Sequence, residues 1–180
     1  MVLTVKELEL GKIHFDVSFD PDKLEYFDPG LRQVSPLKTT GYAELVENTP
    51  GEVRVQGHLR VDMEVQCDRC MESALKPIDS DFDLYYRPAA AANPRHPAEE
   101  IQLDEGEIDL AFYEGTGLDL QDILREHILL SMPMQRVCSP GCLGICPACG
   151  QNRNLTLCKC QAKPLDDRWA SLKNLNTRGI

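Results

Sequence analysis

Residues 53–70 read VRVQGHLRVDMEVQCDRC, and this stretch decides the fold class. Val53, Val55, Gly57, Leu59, Val61, Met63 and Val65 take alternate positions, with Arg54, Gln56, His58, Arg60, Asp62 and Glu64 between them. Successive side chains of a strand point to opposite faces. The pattern therefore predicts a strand with one face buried and the other in water. Strands of that kind belong to antiparallel sheets. The run is longer than an ordinary strand, and Gly57 is the expected place for a bend. It leads straight into Cys67-Asp68-Arg69-Cys70.

Working outward, Ile13, Phe15, Val17 and Phe19 alternate with His14, Asp16 and Ser18 and predict a second strand. Shorter strands are expected over 40–47, 81–86 and 107–112. Residues 88–106, PAAAANPRHPAEEIQLDEG, are rich in proline, alanine and acids and read as a mobile loop. Leu120, Ile123, Leu124 and Ile128 follow helical spacing, with Thr116 or Asp119 as N-cap and Pro133 beyond the end. Residues 166–176 read as a short helix opened by Asp166 or Asp167. Trp169, Leu172 and Leu175 line its apolar side, which makes Trp169 a core anchor before a base-stacking platform. The expected fold is α+β: an antiparallel sheet able to curl toward a barrel, a few helices and a C-terminal cysteine-rich module.

The chain has 180 residues and a formal net charge of −10. Residues 1–130 hold 12 basic and 27 acidic side chains, a balance of −15, whereas residues 131–180 hold 7 and 2, a balance of +5. The expected organisation follows that division, an acidic sheet body over 1–130 and a basic module over 131–180. The body as a whole is unsuited to coating nucleic acid. No apolar run nears the roughly 20 residues of a membrane span, and the N-terminus lacks the apolar core of a secretory signal. The expected compartment is the cytoplasm.

Six of the eight cysteines lie in the basic module. The spacings are Cys67-x2-Cys70, then Cys138-x3-Cys142-x3-Cys146-x2-Cys149-x8-Cys158-x-Cys160. In a reducing compartment such pairs point to metal, each tight turn aiming two thiolates at one ion. Disulfides and a redox-active thiol pair are the competing readings. Cys146, Cys149, Cys158 and Cys160 form a compact set for one zinc. Cys67 and Cys70 then join Cys138 and Cys142 in a second site that staples a strand end to the basic module. A single zinc with four spare thiols is the alternative. A site closed by four cysteines leaves no coordination position for catalysis.

No phosphate-binding glycine loop, nucleophile elbow or metalloprotease motif occurs, and His14, His58, His96 and His127 show no ligand spacing. The chain reads as a non-enzyme with no small-molecule substrate. Arg136, Arg153, Lys159, Lys163, Arg168 and Lys173 form the candidate nucleic-acid face. The plainer reading of these cations is surface charge that offsets zinc-bound thiolates.

These segments carry a family likeness. Cys67-Asp68-Arg69-Cys70-Met71 resembles the C-x-R-C centre of the YceD family. Ile108-Asp109-Leu110 and the helix Leu120 to Leu130 ending in Ser131-Met132-Pro133 resemble it too. Cys142-Leu143-Gly144-Ile145-Cys146-Pro147-Ala148-Cys149-Gly150 is similar to the C-x-G-x-C-P-x-C-G of its cysteine-rich members. Asn152 to Leu155, Cys158-Lys159-Cys160 and Asp167-Arg168-Trp169 through Leu175 continue the likeness. It runs from about residue 50 to the C-terminus.

The resemblance implies a non-enzymatic factor for accumulation of the large-subunit (23S) ribosomal RNA, in bacteria or plastids. Some members keep the first cysteine pair and lack most of the later cysteines. Two partner classes follow: precursor ribosomal RNA on the basic module, and a basic ribosomal protein on the acidic body. A zinc-stabilised interaction module or a thiol redox sensor unconnected with ribosomes is the contrasting expectation.

Overall fold

A computed structural model describes residues 1–89 and 110–160. The elements, in chain order, are β1 (Val2–Thr4), α1 (Val5–Leu8), β2 (Ile13–Phe19), β3 (Leu31–Gln33), β4 (Leu37–Leu45), β5 (Val53–Gln66), β6 (Ser73–Pro88), β7 (Leu110–Tyr113), β8 (Gly117–Asp119) and α2 (Leu120–Ser131). Most of the loop expected over 88–106 and the helix expected over 166–176 lie outside the described residues. Trp169, Lys163, Arg168, Lys173 and His96 lie outside them as well.

The alternating stretch is β5, at the centre of a six-stranded sheet in the order β2-β4-β5-β6-β7, with β3 also on β5. Its apolar positions Val53, Val55, Leu59, Val61, Met63 and Val65 are buried, and the positions between them are exposed or half-buried. Gly57 faces Gly41 of β4 across the ladder. A Cβ on Gly57 would stand 2.5 Å from the Thr40 carbonyl oxygen and 2.7 Å from the Phe82 ring. The glycine thus admits a close approach of backbone and ring, and the pairing with β6 continues through it from Val53 to Gln66.

Two parts of the sheet expectation need correction. β7 pairs with β6 in parallel, so the sheet is mixed. A parallel neighbour requires the chain to cross back between the two strands. Among the described residues the sheet is also open and not a barrel, because β2 and β7 are its two edges and do not pair. The apolar face has another cover: Leu120, Ile123, Leu124 and Ile128 of α2, with Leu3 and Leu8 near the N-terminus, share one core with β5. A sheet already covered on its apolar face, with a polar opposite face, gains little by closing on itself.

α2 begins where one of the two N-cap candidates stands. The Asp119 carboxylate accepts the Gln121 N–H at 3.0 Å, and Met132 ends the helix in an extended conformation just before Pro133. β8 leads into α2 and pairs with β1, joining residues 2–4 to 117–119. β1, α1, β3 and β8 were not foreseen. Thr4 and Glu7 form a capping box at α1, a pattern visible in the sequence. β3 and β4 share one edge of β5, interrupted at Ser35-Pro36. There the Ser35 hydroxyl oxygen accepts the Asp62 N–H at 2.8 Å, standing in for a backbone partner.

Candidate metal centre

The first cysteine pair sits in the turn of the longest hairpin. β5 and β6 pair as far as Gln66 opposite Ser73, so residues 67–72 connect them. The Cys67 N–H donates to the Glu72 carbonyl, and the Met71 N–H donates to the Cys67 carbonyl, each at 2.9 Å. The second pair is wound the same way. The Cys146 N–H donates to the Gln151 carbonyl and the Gly150 N–H to the Cys146 carbonyl, each at 2.8 Å. The residue after each pair has positive φ, 65° at Met71 and 73° at Gly150. The turn in both cases brings two thiols to one side.

Past α2 the chain returns to the first turn. Asp68 and Arg136 exchange two bonds: the Asp68 N–H donates to the Arg136 carbonyl at 2.8 Å, and the Arg136 N–H donates to Asp68 Oδ2 at 2.7 Å. Arg136 Nη1 donates to Asp28 Oδ2 at 2.5 Å, which ties the segment before β3 to the same place. The Cys138 N–H donates to Cys67 Sγ at 3.3 Å. The Ile145 N–H donates to the Arg69 carbonyl at 2.9 Å, and Arg69 Nη1 donates to the Cys142 carbonyl at 3.2 Å. A Cβ at Gly144 would lie 2.8 Å from the Arg69 carbonyl oxygen, so this crossing requires glycine.

The result is two groups of four thiols, Cys67, Cys70, Cys138 and Cys142 in one, Cys146, Cys149, Cys158 and Cys160 in the other. Within each group all sulfurs lie within 4.8 Å of one another. These are the two sets expected from the spacing. Cys67 and Cys142 sulfurs are 3.9 Å apart, and those of Cys70 and Cys138 are 3.6 Å apart. A disulfide would require about 2.05 Å. Four thiolates at about 2.3 Å around a tetrahedral ion stand about 3.8 Å from each other. The arrangement therefore fits a metal held by four cysteines and not a pair of bridges; all eight cysteines are free thiols.

The thiols are primed unequally. Burial raises the pKa of Cys67, but N–H groups of Cys138, Arg69 and Cys70 aimed at its sulfur outweigh that and bring it to about 6. N–H groups of Ala148 and Cys149, with the Cys158 thiol, bring Cys146 to about 6. Cys142 is lowered chiefly by the Asn154 side chain. At Cys70 the Glu72 N–H favours the thiolate, yet burial and the neighbouring thiols push it up to about 12. Cys160 is pushed up to about 12 by Cys149 and by burial. In each group some thiols favour the thiolate, Cys67 and Cys142 in the first and Cys146 in the second, and make a neighbour's ionisation costly, an obstacle that a bound cation removes.

The groups differ in shelter. Cys67, Cys70 and Cys142 are buried and only Cys138 is exposed, whereas in the second group Cys146 alone is buried. Of the cations proposed for nucleic acid, Arg136 is engaged with Asp28. Arg153 and Lys159 are exposed, and their cationic heads have no partner among the described residues. His127 lies under the sheet with Nε2 3.0 Å from Ser80 Oγ, and burial lowers its pKa. His58 stands between Asp79 and Asp81 on the exposed face. Neither His58, His127 nor His14 belongs to a thiol group. Sequence reasoning missed the fastening pair Asp68–Arg136 and the side chains of Asn152 and Asn154. Both asparagines lie inside the Cys149-x8-Cys158 loop and within the Asn152 to Leu155 stretch of the family likeness, the signals that pointed toward them.

Fold and site together define a class: an open sheet whose central hairpin ends in one of two closed four-cysteine groups. The family model described as "Large ribosomal RNA subunit accumulation protein YceD" matches residues 55–176, and the chain belongs to this YceD family. It is 26% identical over 207 aligned residues to the Arabidopsis thaliana protein named "Large ribosomal RNA subunit accumulation protein YCED homolog 1, chloroplastic", covering 96% of this chain and 60% of that one. It is 26% identical over 133 residues to the Zea mays protein of the same name, covering 63% of this chain and 45% of that one. The chain thus spans about half the length of these curated relatives. No solved structure matches. No helix among the described residues is long and apolar enough to cross a membrane.

Proposed function

We propose that this chain is a non-enzymatic factor in the accumulation of the large-subunit (23S) ribosomal RNA, working in a cytoplasmic, reducing compartment. Two structural zinc ions fasten its C-terminal module to the sheet. The observation that carries the reading is the family match, which runs through both cysteine groups. Zinc suits sulfur-only tetrahedral sets, and sites closed by four thiolates leave no position for a reacting water. Precursor ribosomal RNA is the partner on the basic side, through Arg153, Lys159, Lys163, Arg168 and Lys173. Arg136, held by Asp28, contributes less. The acidic body, −15 over residues 1–130, serves to hold a basic ribosomal protein.

Ultraviolet crosslinking of the tagged protein in its native host, with sequencing of the RNA and mass spectrometry of the proteins, tests this. The expected result is enrichment of large-subunit precursor RNA, with crosslinks within residues 136–178. Ribosomal proteins without crosslinked RNA would reduce the role to protein holding. Neither class enriched would overturn the partner assignment. Charge reversal at Arg153, Lys159, Lys163 and Arg168 should lower RNA affinity and flatten its salt dependence.

A further inference from the structure

The loop that closes the second thiol group reaches into the first. It is the segment between Cys149 and Cys158, and it carries Asn152 and Asn154. Asn154 Nδ2 donates to Cys142 Sγ at 3.3 Å, while Asn154 Oδ1 accepts the Leu143 N–H at 2.7 Å. Asn152 Oδ1 accepts from both the backbone N–H and Nδ2 of Asn154, each at 3.0 Å. Asn152 Nδ2 donates to Glu72 Oε1 at 3.2 Å, and the Glu72 carbonyl closes the turn of Cys67 and Cys70. The Arg153 N–H donates to the Gly144 carbonyl at 2.9 Å. One loop is therefore pinned at both ends by second-group ligands and rests, through two asparagines, on a ligand and a turn of the first group.

We propose that Asn154 is a positioning residue that couples the two metal sites. An ion in the second group fixes both ends of the 150–157 loop, and the fixed loop holds the Asn154 amide against the Cys142 sulfur. An N–H donor stabilises the thiolate form and orients it, so the first group binds metal more tightly when the second is filled. Much of the entropy of ordering the loop is then spent before the first group uses it. Linkage makes the effect reciprocal: filling the first group tightens the second. The inference rests on the reading that both groups hold metal.

The test titrates the full chain with cobalt(II) in competition with a chromophoric chelator, and repeats it with cadmium(II) followed by cadmium NMR. The wild type is expected to bind two ions per chain; a single ion would overturn the two-metal reading and this coupling with it. With two ions bound, the coupling stands or falls by itself. Replacing both Cys158 and Cys160 by Ser removes the second site and should weaken the first about 10–100-fold. Asn154→Asp and Asn154→Leu share only the lost amide donor. Each should weaken the first site by a similar factor and shift its cadmium resonance with the second site still loaded, the far-ultraviolet spectrum of the sheet staying unchanged. Combining the Ser pair with Asn154→Leu should add little further loss. First-site affinity unchanged without the second site, or losses that simply multiply, would overturn the proposal. The Asn154 variants carry the test alone if the Ser pair does not fold.

Discussion

The Cys67 turn and the Cys146 turn share one hydrogen-bond pattern, yet they do different work. The first continues the ladder of β5 and β6, and Asp68, Arg69 and Cys67 all bond to the returning chain. The second is held by its own loop and by a bridge between Ile145 and Asn152. Both cysteines of the first turn are buried, whereas in the second Cys146 is buried and Cys149 exposed. The difference teaches that the pair of cysteines specifies a ligand geometry and nothing more. What that geometry stabilises depends on the elements on either side of it.

The sharpest way to break this comparison is to remove one ligand from each group. Structural zinc contributes on the order of 10 kcal/mol to folding in small zinc domains. Cys67→Ser should therefore collapse thermal stability, whereas Cys149→Ser should lose an ion and lower Tm only by the smaller amount that the weakened first site accounts for. Equal falls in Tm would show that the two groups fasten the fold alike.

A second substitution separates sheet from metal. Leu59 is fully buried beneath the centre of β5, and Leu59→Ala should cost about 2–5 kcal/mol in urea unfolding. The metal content per folded chain should not change. Loss of metal in the folded variant would mean that the core and the turn are one cooperative unit.

Smaller effects compare the turns themselves. Among the described residues nothing lies within 4 Å of a Cβ added at Gly150, so Gly150→Ala isolates the backbone cost of positive φ, about 1–2 kcal/mol. It should appear as weaker metal binding at the second group, with the affinity of the first unchanged once the second is filled. Met71 holds the matching position with its side chain exposed and φ at 65°. Met71→Gly should raise stability by up to about 1 kcal/mol. A destabilised variant would show that the Met71 side chain makes a contact worth more than the strain it carries.

What the sequence determined by itself was local. The alternation of residues 53–65 specified β5 and its two faces, and the spacing of Leu120, Ile123, Leu124 and Ile128 specified the buried side of α2. Each CxxC specified a turn that aims two sulfurs together, because the geometry closes within a few residues. Even the partition into two groups of four followed from economy of spacing. The N-terminal capping box of Thr4 and Glu7 is visible in the sequence, but the short segment it opens is placed by a pairing partner more than a hundred residues away.

The tertiary structure alone decided what depends on chain paths. Whether β7 runs parallel to β6 turns on a crossover that periodicity does not encode. Whether the sheet closes turns on what covers its apolar face, here α2 and the N-terminal segment. Arg136 looked like a phosphate contact by charge, but Asp28 takes its guanidinium from a distant part of the chain. Asn154 stands in the Asn152 to Leu155 stretch of the family likeness, but its contact with Cys142 depends on the crossing of Gly144 over Arg69. Local patterns are set by bonds and side-chain alternation, whereas these contacts are set by which segments can bury surface against each other.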